Sequence, residues 1–364
     1  MNILIQLSHP AHFHLYKNVA HNLIADGHKV FILIKSKDVL EDLLKESGLP
    51  YSNILQHAHR KSKWGILWDM LVRDMRILRF SRKNHIDLLT GSTVEVAQVS
   101  WLLGKHSINT GEDDAAVIPM FGKIGGPFIK TFLTPDVCDN GKLEPKSVKY
   151  ASYHELAYLH PNHFTPDKNV VEKYFSADTP YFIIRLSGLN AYHDGGAGGI
   201  NTAIAEQLIE MLKPHGRIYI TAERELEPQF EPYRIRINPL DMHHVMAFAD
   251  LYIGDSQTMA AESAVLGVPY VRFNSFVGRI GYLRELEEKY QLGYGILPSE
   301  PEILYEVVEA LLAMPNRKQL FEERRQTMLA DKIDYAQFMT WFIEEYPQSK
   351  IEMKRQPEWQ YNFR

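Results

Sequence analysis

The chain has 364 residues, 45% of them apolar and 23% charged, which allows two globular cores and excludes a disordered or fibrous protein. A formal net charge of −5 excludes a protein that coats nucleic acid electrostatically, and the single cysteine, Cys138, excludes an internal disulfide framework and fits a reducing compartment. The chain opens on MNILIQLS with no basic n-region, and no run approaches the ~20 apolar residues that span a bilayer, so the expected location is the cytoplasm.

In chain order, NILIQL, KVFILI, HIDLLT and HSINT are short runs rich in β-branched residues, as buried strands are. HLYKNVAHNLIADG, KDVLEDLLKESG and WGILWDMLVRDMRILRFSRKN lie between them with helical spacing and mostly end at Gly or Asn. Such alternation predicts βαβ units and a parallel, doubly wound sheet. Between 134 and 180 the pattern is broken by Pro135, Pro145, Pro161, Pro166 and Pro180, which predicts an inter-domain connection. YFIIRLS, GRIYIT, YRIRI, ADLYIG, VPYVRF and GYGIL then read as strands, with helices at 199–213, 241–248, 257–266, 281–290, 301–313 and 316–329. The amphipathic DYAQFMTWFIEEY is expected to pack back on the first domain. The expected organisation is an N-terminal Rossmann-like domain at 1–170, a second at 171–333, and a returning tail at 334–364. Two doubly wound domains imply a ligand cleft between the carboxyl ends of their sheets.

Four stretches place chemistry at expected strand ends. In LYIGDSQTMAAESAVLGVP a helix starting at Ser256–Gln257 aims free backbone N–H groups outward, a site suited to a phosphate. Ser256 and Thr258 add hydroxyls, and Gln257 and Met259 share that first turn. Glu262 sits among Ala and Val, where a carboxylate needs hydroxyl or amide partners such as a ribose. The plain alternative is that Asp255 or Ser256 only caps the helix and Glu262 is solvated. In RLSGLNAYHDGGAGGINTAI, Arg185 closes a strand and calls for an anion, while His193 and Asp194 precede a glycine run that admits a close backbone. Glu223, after GRIYIT, and Pro239, Leu240 and His243 of PLDMHH complete the second domain's candidate contacts.

In the first domain, His9, His12 and His14 follow the first strand, and Glu112, Asp113 and Asp114 follow HSINT. No carboxylate lies near enough in sequence to the histidines to suggest a metal site, so a hydroxyl or phosphate contact, or a general base, suits them better. The catalytic candidates are His12, Glu112 and Asp113, with no choice among them. Residues 59–83 form a basic helix carrying Trp64 and Trp68. That face suits either the inner surface of an anionic membrane, a solvated basic side, or a homo-oligomer contact.

The segment INPLDMHHVMAFADLYIGDSQTMAAESAVLGVP resembles the nucleotide-binding region of the non-hydrolysing sugar-nucleotide 2-epimerases, with Pro239, Leu240, Asp255, Ser256, Glu262, Leu266, Gly267 and Pro269 matching. The resemblance to this superfamily, the GT-B glycosyltransferases and their relatives, implies ribose hydroxyls on Glu262 and phosphates on the helix start at Ser256. HFHLYKNVAHNLIADGH is similar to the Gly-Gly-His loop and first helix of GT-B enzymes such as the lipid-intermediate GlcNAc transferase, with His12 at the His position. Over nearly its full length the chain resembles the family called domain of unknown function 354, through Arg185 to Asp194, Tyr158 to Pro161, and Asp255 to Glu262.

The departures from the epimerases matter. Where those enzymes have acids for their elimination chemistry, this chain reads Gly91-Ser92-Thr93 and Asn109-Thr110-Gly111, and Ala260-Ala261 replaces Gln-Glu. The resemblance therefore implies an α/β, GT-B-like protein of two Rossmann-type domains that transfers a sugar from a nucleoside-diphosphate donor, with UDP-sugar favoured and no metal or cofactor required. A nucleotide-sugar 2-epimerase or hydrolase is the first alternative. A non-catalytic nucleotide-sugar-binding protein is the second. The acceptor is not specified, and no nucleic-acid partner is expected.

Overall fold

NILIQL forms strand β1 (Asn2–Leu7), and Ile3, Leu4 and Ile5 are completely buried, as a strand covered on both faces must be. It belongs to a computed structural model that describes residues 1–35, 39–55, 63–187 and 198–364. The chain divides into two compact units, one of residues 1–163 with 332–364 and one of residues 164–331.

The first unit is a seven-stranded parallel sheet. β1 is followed by β2 (Lys29–Lys35), β3 (Tyr51–Leu55), β4 (Leu88–Gly91), β5 (His106–Thr110), β6 (Phe132–Pro135) and β7 (Ser147–Tyr150), in the order 3-2-1-4-5-6-7. The crossovers are α1 (Pro10–Ala25), α2 (Val39–Ser47), α3 (Lys63–Lys83), α4 (Val94–Leu103) and α5 (Pro119–Ile124). The second unit opens with α6 (Lys168–Glu172). Its five parallel strands are β8 (Tyr181–Leu186), β9 (Arg217–Ala222), β10 (Leu251–Gly254), β11 (Tyr270–Phe273) and β12 (Gly293–Ile296), in the order 12-11-10-8-9. Its helices are α7 (Thr202–Leu212), α8 (Met242–Ala247), α9 (Gln257–Val265), α10 (Gly281–Arg284), α11 (Pro301–Ala313) and α12 (Arg317–Asp331). The chain then returns to the first unit as α13 (Tyr335–Glu344) and α14 (Gln348–Arg355), with α13 against α1.

Two expectations are corrected. The proline-rich stretch from 134 is not a connection: β6 and β7 extend the first sheet, Pro135 ends β6, and the polypeptide leaves the unit only after His163. YRIRI is not a strand and makes only one isolated bridge, Arg234 with Ile220. Its residues are half-buried or exposed, so no apolar face holds it to the sheet. The unit boundaries also fall a few residues before those expected at 170/171 and 333/334. Asp334 explains the position, because its buried carboxylate accepts from Asn162 Nδ2 at 3.0 Å and lies 2.8 Å from His163 Nε2. One residue later the allegiance changes, with the Phe164 ring 4.7 Å from His244 of α8.

Candidate functional site

In the second unit the strand order reverses between β8 and β10. At such a reversal, a crevice outside the carboxyl ends of the strands is where parallel α/β sheets take ligands. Register puts Thr221, Arg185, Gly254 and Arg272 in one row across β9, β8, β10 and β11, on one face of the sheet. A Cβ at residue 254 would strike the Tyr252 hydroxyl and the Arg185 Cβ, so glycine is what lets the row close up.

The two arginines of the row differ in their partners. Arg272 is fully buried and satisfied: Nη2 and Nε lie 2.8 and 3.1 Å from Glu287 Oε1, and Nη1 lies 3.2 Å from Asn274 Oδ1. Arg185 pairs through Nη2 with Glu223, whose side chain is 59% exposed. Its buried Nε has no hydrogen-bond partner among the described residues, and neither does Thr221 Oγ1 beside it. Buried donors without partners are rare and costly, and here they stand side by side near the carboxyl ends of β8 and β9.

Across the crevice α9 begins. Ser256 caps it, with Oγ accepting the Met259 N–H at 3.4 Å, so this hydroxyl plays the plain capping role. The first N–H groups of the helix, at Gln257 and Thr258, have no acceptor within the helix and carry its partial positive charge. Asp255 braces the two loops: Oδ1 accepts the Ser187 N–H at 2.8 Å, and its carbonyl accepts from Asn274 Nδ2 at 3.1 Å. Burial raises the Asp255 carboxyl, and the bond from Ser187 pulls it back.

Glu262 and His243 form one buried pair, with Oε1 2.9 Å from Nε2. Two residues expected to touch a nucleotide separately are therefore tied to each other. Pro239 and Leu240 lie in the turn before α8, where Asn238 Oδ1 accepts the Leu240 N–H at 3.0 Å. Tyr174 Oη donates to Asp241 at 2.9 Å at the start of that helix. His193 and Asp194 fall outside the described residues.

The same reversal occurs in the first unit between β1 and β4, and its crevice is lined differently. Thr93 Oγ1 donates to Gln6 Oε1 at 2.8 Å, Asn109 Nδ2 donates to the Thr93 carbonyl at 2.9 Å, and Ser92 and Thr110 hydroxyls lie 2.8 Å apart. The Tyr16 hydroxyl reaches Thr90 at 2.8 Å and Thr110 at 3.3 Å, and burial pushes it up to about 12. The positions where the epimerases carry acids are thus filled by a neutral hydroxyl network.

Beside this network stand the titratable groups. His12 Nδ1 accepts the Ser8 N–H at 3.4 Å, an assignment that puts the ring hydrogen on Nε2. Burial, then His9, then His154 lower His12 to about 3, so its ring is neutral. Burial likewise lowers His154 to about 3 against the pull of Asp113. His154 Nδ1 lies 3.2 Å from Glu112 Oε2, and its Nε2 has no partner among the described residues. Burial raises Asp113, while His154 lowers it. His14 points into the core, 5.2 Å from the Tyr158 ring. Asp114 is structural, accepting the Asp139 N–H at 2.9 Å. The structure brings His12, Glu112 and Asp113 together around His154, which sequence reasoning missed. His154 opens a short 3₁₀ helix (His154–Ala157) after β7, and only its long-range approach to Glu112 marks it. Among the described residues, no group of three His, Cys, Asp or Glu side chains is arranged to hold a metal ion.

The family model described as "Protein of unknown function (DUF354)" matches residues 1–278, so the chain belongs to that family. No curated protein matches the chain. Among solved structures, the S. aureus MnaA–UDP co-structure is similar with a TM-score of 0.67 at 10% identity, over 96% of this chain and 97% of that one. A candidate UDP-N-acetylglucosamine 2-epimerase from Listeria monocytogenes gives 0.65 at 11% identity, over 95% and 96%. The glycosyltransferase SsfS6 from Streptomyces sp. SF2575, complexed with thymidine diphosphate, gives 0.58 at 13% identity, over 95% and 99%. At these identities the likeness shows the fold, which is GT-B-like, with two Rossmann-type units.

Proposed function

We propose that this member of the DUF354 family is a glycosyltransferase that uses a nucleoside-diphosphate sugar, with a UDP-sugar favoured, in surface or storage carbohydrate biosynthesis. The observation that carries the reading is the crevice of the second unit, where Arg185 Nε and Thr221 Oγ1, buried without a partner among the described residues, stand in one row with Gly254 of the strand that leads into α9. Fixed donors of this kind stabilise a diphosphate and, above all, the charge it gains as it leaves. The buried Glu262–His243 pair supplies the carboxylate for ribose hydroxyls. The UDP and thymidine diphosphate bound in two similar structures support the ligand class.

In the transfer step an acceptor oxygen bonds to the anomeric carbon, the bond to the diphosphate breaks, and the electron pair leaves with the phosphate. The acceptor's proton passes to a general base. Asp113, whose carboxyl burial raises, is the candidate base, and His154, which burial keeps neutral, lies with Nδ1 3.2 Å from Glu112 Oε2. His12 offers an Nε2–H donor in the assigned tautomer and contributes a hydrogen bond. The reading includes no resident metal, and activity that survives a chelator checks that expectation.

An epimerase or hydrolase remains the second reading because the similar structures include a candidate 2-epimerase. Incubation with UDP-N-acetylglucosamine and no acceptor separates the two. Formation of an epimer or free sugar would overturn transfer. Binding itself is tested by a thermal-shift panel of nucleoside diphosphates, where ~100 times the dissociation constant adds about 2.7 kcal/mol. UDP or thymidine diphosphate is expected to stabilise the wild type, and Glu262→Ala is expected to remove most of that gain. No shift with any nucleotide would count against the whole assignment.

A further inference from the structure

The outward face of α3 carries a stripe that packing does not use. Trp68, Leu71 and Met75 are 56, 48 and 45% exposed, and their spacing puts them on one side of the helix. Arg79, Arg82 and Lys83 continue that side, all exposed. Ile77, opposite the stripe, and Leu78, at its edge, are buried in the core cluster that includes Val96 and Val99 of α4. Next to α3, α4 also turns Trp101 and Leu102 outward, 55 and 52% exposed, just before the exposed Lys105.

The acids of this region are withdrawn from that face. Glu95 is neutralised by Arg73 at 2.5 Å. Asp74 is buried, and burial and then Glu95 push its carboxyl up to about 7. Asp69 is half-buried on the flank of the stripe. The outward field of α3 is therefore positive although the whole chain carries a net charge of −5.

We propose that this face docks the protein on an anionic lipid bilayer, with Trp68, Leu71 and Met75 entering the interface and Arg79, Arg82 and Lys83 meeting the lipid phosphates. Aromatic and aliphatic side chains on one side of a helix, bordered by cations, are what an in-plane amphipathic helix presents to such a surface. The charge argues against a second copy of the chain, which would bury three more cations on this face, where the described acids offer only the flanking, half-buried Asp69. The proposal stands independently of the nucleotide-sugar reading, because it rests on the outer face of the first unit alone.

Co-sedimentation tests it, with vesicles of phosphatidylcholine alone and of equimolar phosphatidylcholine and phosphatidylglycerol. The full chain is expected to bind only the anionic vesicles and to be released by salt. Combined Arg79→Ala and Arg82→Ala should weaken partitioning roughly thirtyfold, given ~1 kcal/mol per cation. Combined Trp68→Ser, Leu71→Ser and Met75→Ser should abolish it, with the circular dichroism spectrum and the nucleotide thermal shift unchanged. Equal binding by wild type and both variants, or no binding to anionic vesicles at all, would overturn the proposal. So would a lipid-free dimer in sedimentation analysis that the triple serine substitution dissociates.

Discussion

The two units repeat one topological device and line it with opposite chemistry. Each sheet is parallel and reverses its strand order once, and each reversal leaves a crevice at the carboxyl ends. In the second unit that crevice holds an arginine whose Nε has no partner among the described residues, and the positive end of α9. In the first it holds hydroxyls bonded to one another, flanked by imidazoles that burial keeps neutral. Charge provided in advance suits a ligand that is always anionic. A neutral lining suits groups that must move a proton. The shared fold therefore fixes where ligands go, and the row of side chains across each sheet end decides what kind they are.

The comparison is sharpest within the row that holds both arginines. Arg272→Met should cost about 3 kcal/mol or more, because it strands Glu287 in the core, and urea unfolding would read that loss directly. Arg185→Gln should cost no more than about 1 kcal/mol, since its partner Glu223 is mostly exposed. Equal losses would mean that Arg185 is structural after all.

Acid should distinguish the first unit's crevice. His12 and His154 have an ordinary value of 6.5 and about 3 in the fold, so between those limits the unfolded chain takes up protons that the folded chain refuses. Stability therefore rises with pH across that window and falls on acidification, by roughly 2 kcal/mol per histidine from pH 7 to pH 5. Asp113 acts in the opposite sense, because burial raises its carboxyl above the ordinary 3.8. Melting curves from pH 7 to pH 5 should show the decline, and His154→Gln should flatten it. An unchanged slope would mean that His154 is protonated in the fold. A smaller effect is expected from Tyr16→Phe, which leaves the Thr90 and Thr110 hydroxyls without their shared partner and should cost about 1 kcal/mol in the same unfolding assay.

Much of this arrangement was legible in the residues. NILIQL, YFIIRLS and ADLYIG are apolar runs with turn signals after them, and helical spacing in between made the parallel sheets plain. GDSQTM gave both the end of β10 and the cap of α9. β6 and β7 were hidden because four-residue strands carry little periodicity, and Pro135 ends the one while Pro145 precedes the other. YRIRI misled because its alternation is real but its apolar residues have no core to enter. The partners of side chains were the least legible part. Glu262 and His243 were each read as reaching for a ligand, yet they lie 2.9 Å apart. The approach of His154 to Glu112 joins residues forty-two positions apart in the chain, which no local pattern encodes.

The central claim, that the charged crevice of the second unit holds a diphosphate, is tested most directly by titrating UDP and uridine into wild type, Arg185→Gln and His12→Asn by calorimetry. Wild type is expected to bind UDP far more tightly than uridine, and this gap is expected to shrink by about tenfold or more in Arg185→Gln through loss of a charge-assisted contact. The gap should be unchanged in His12→Asn. A gap of the same size in Arg185→Gln and wild type would contradict the claim.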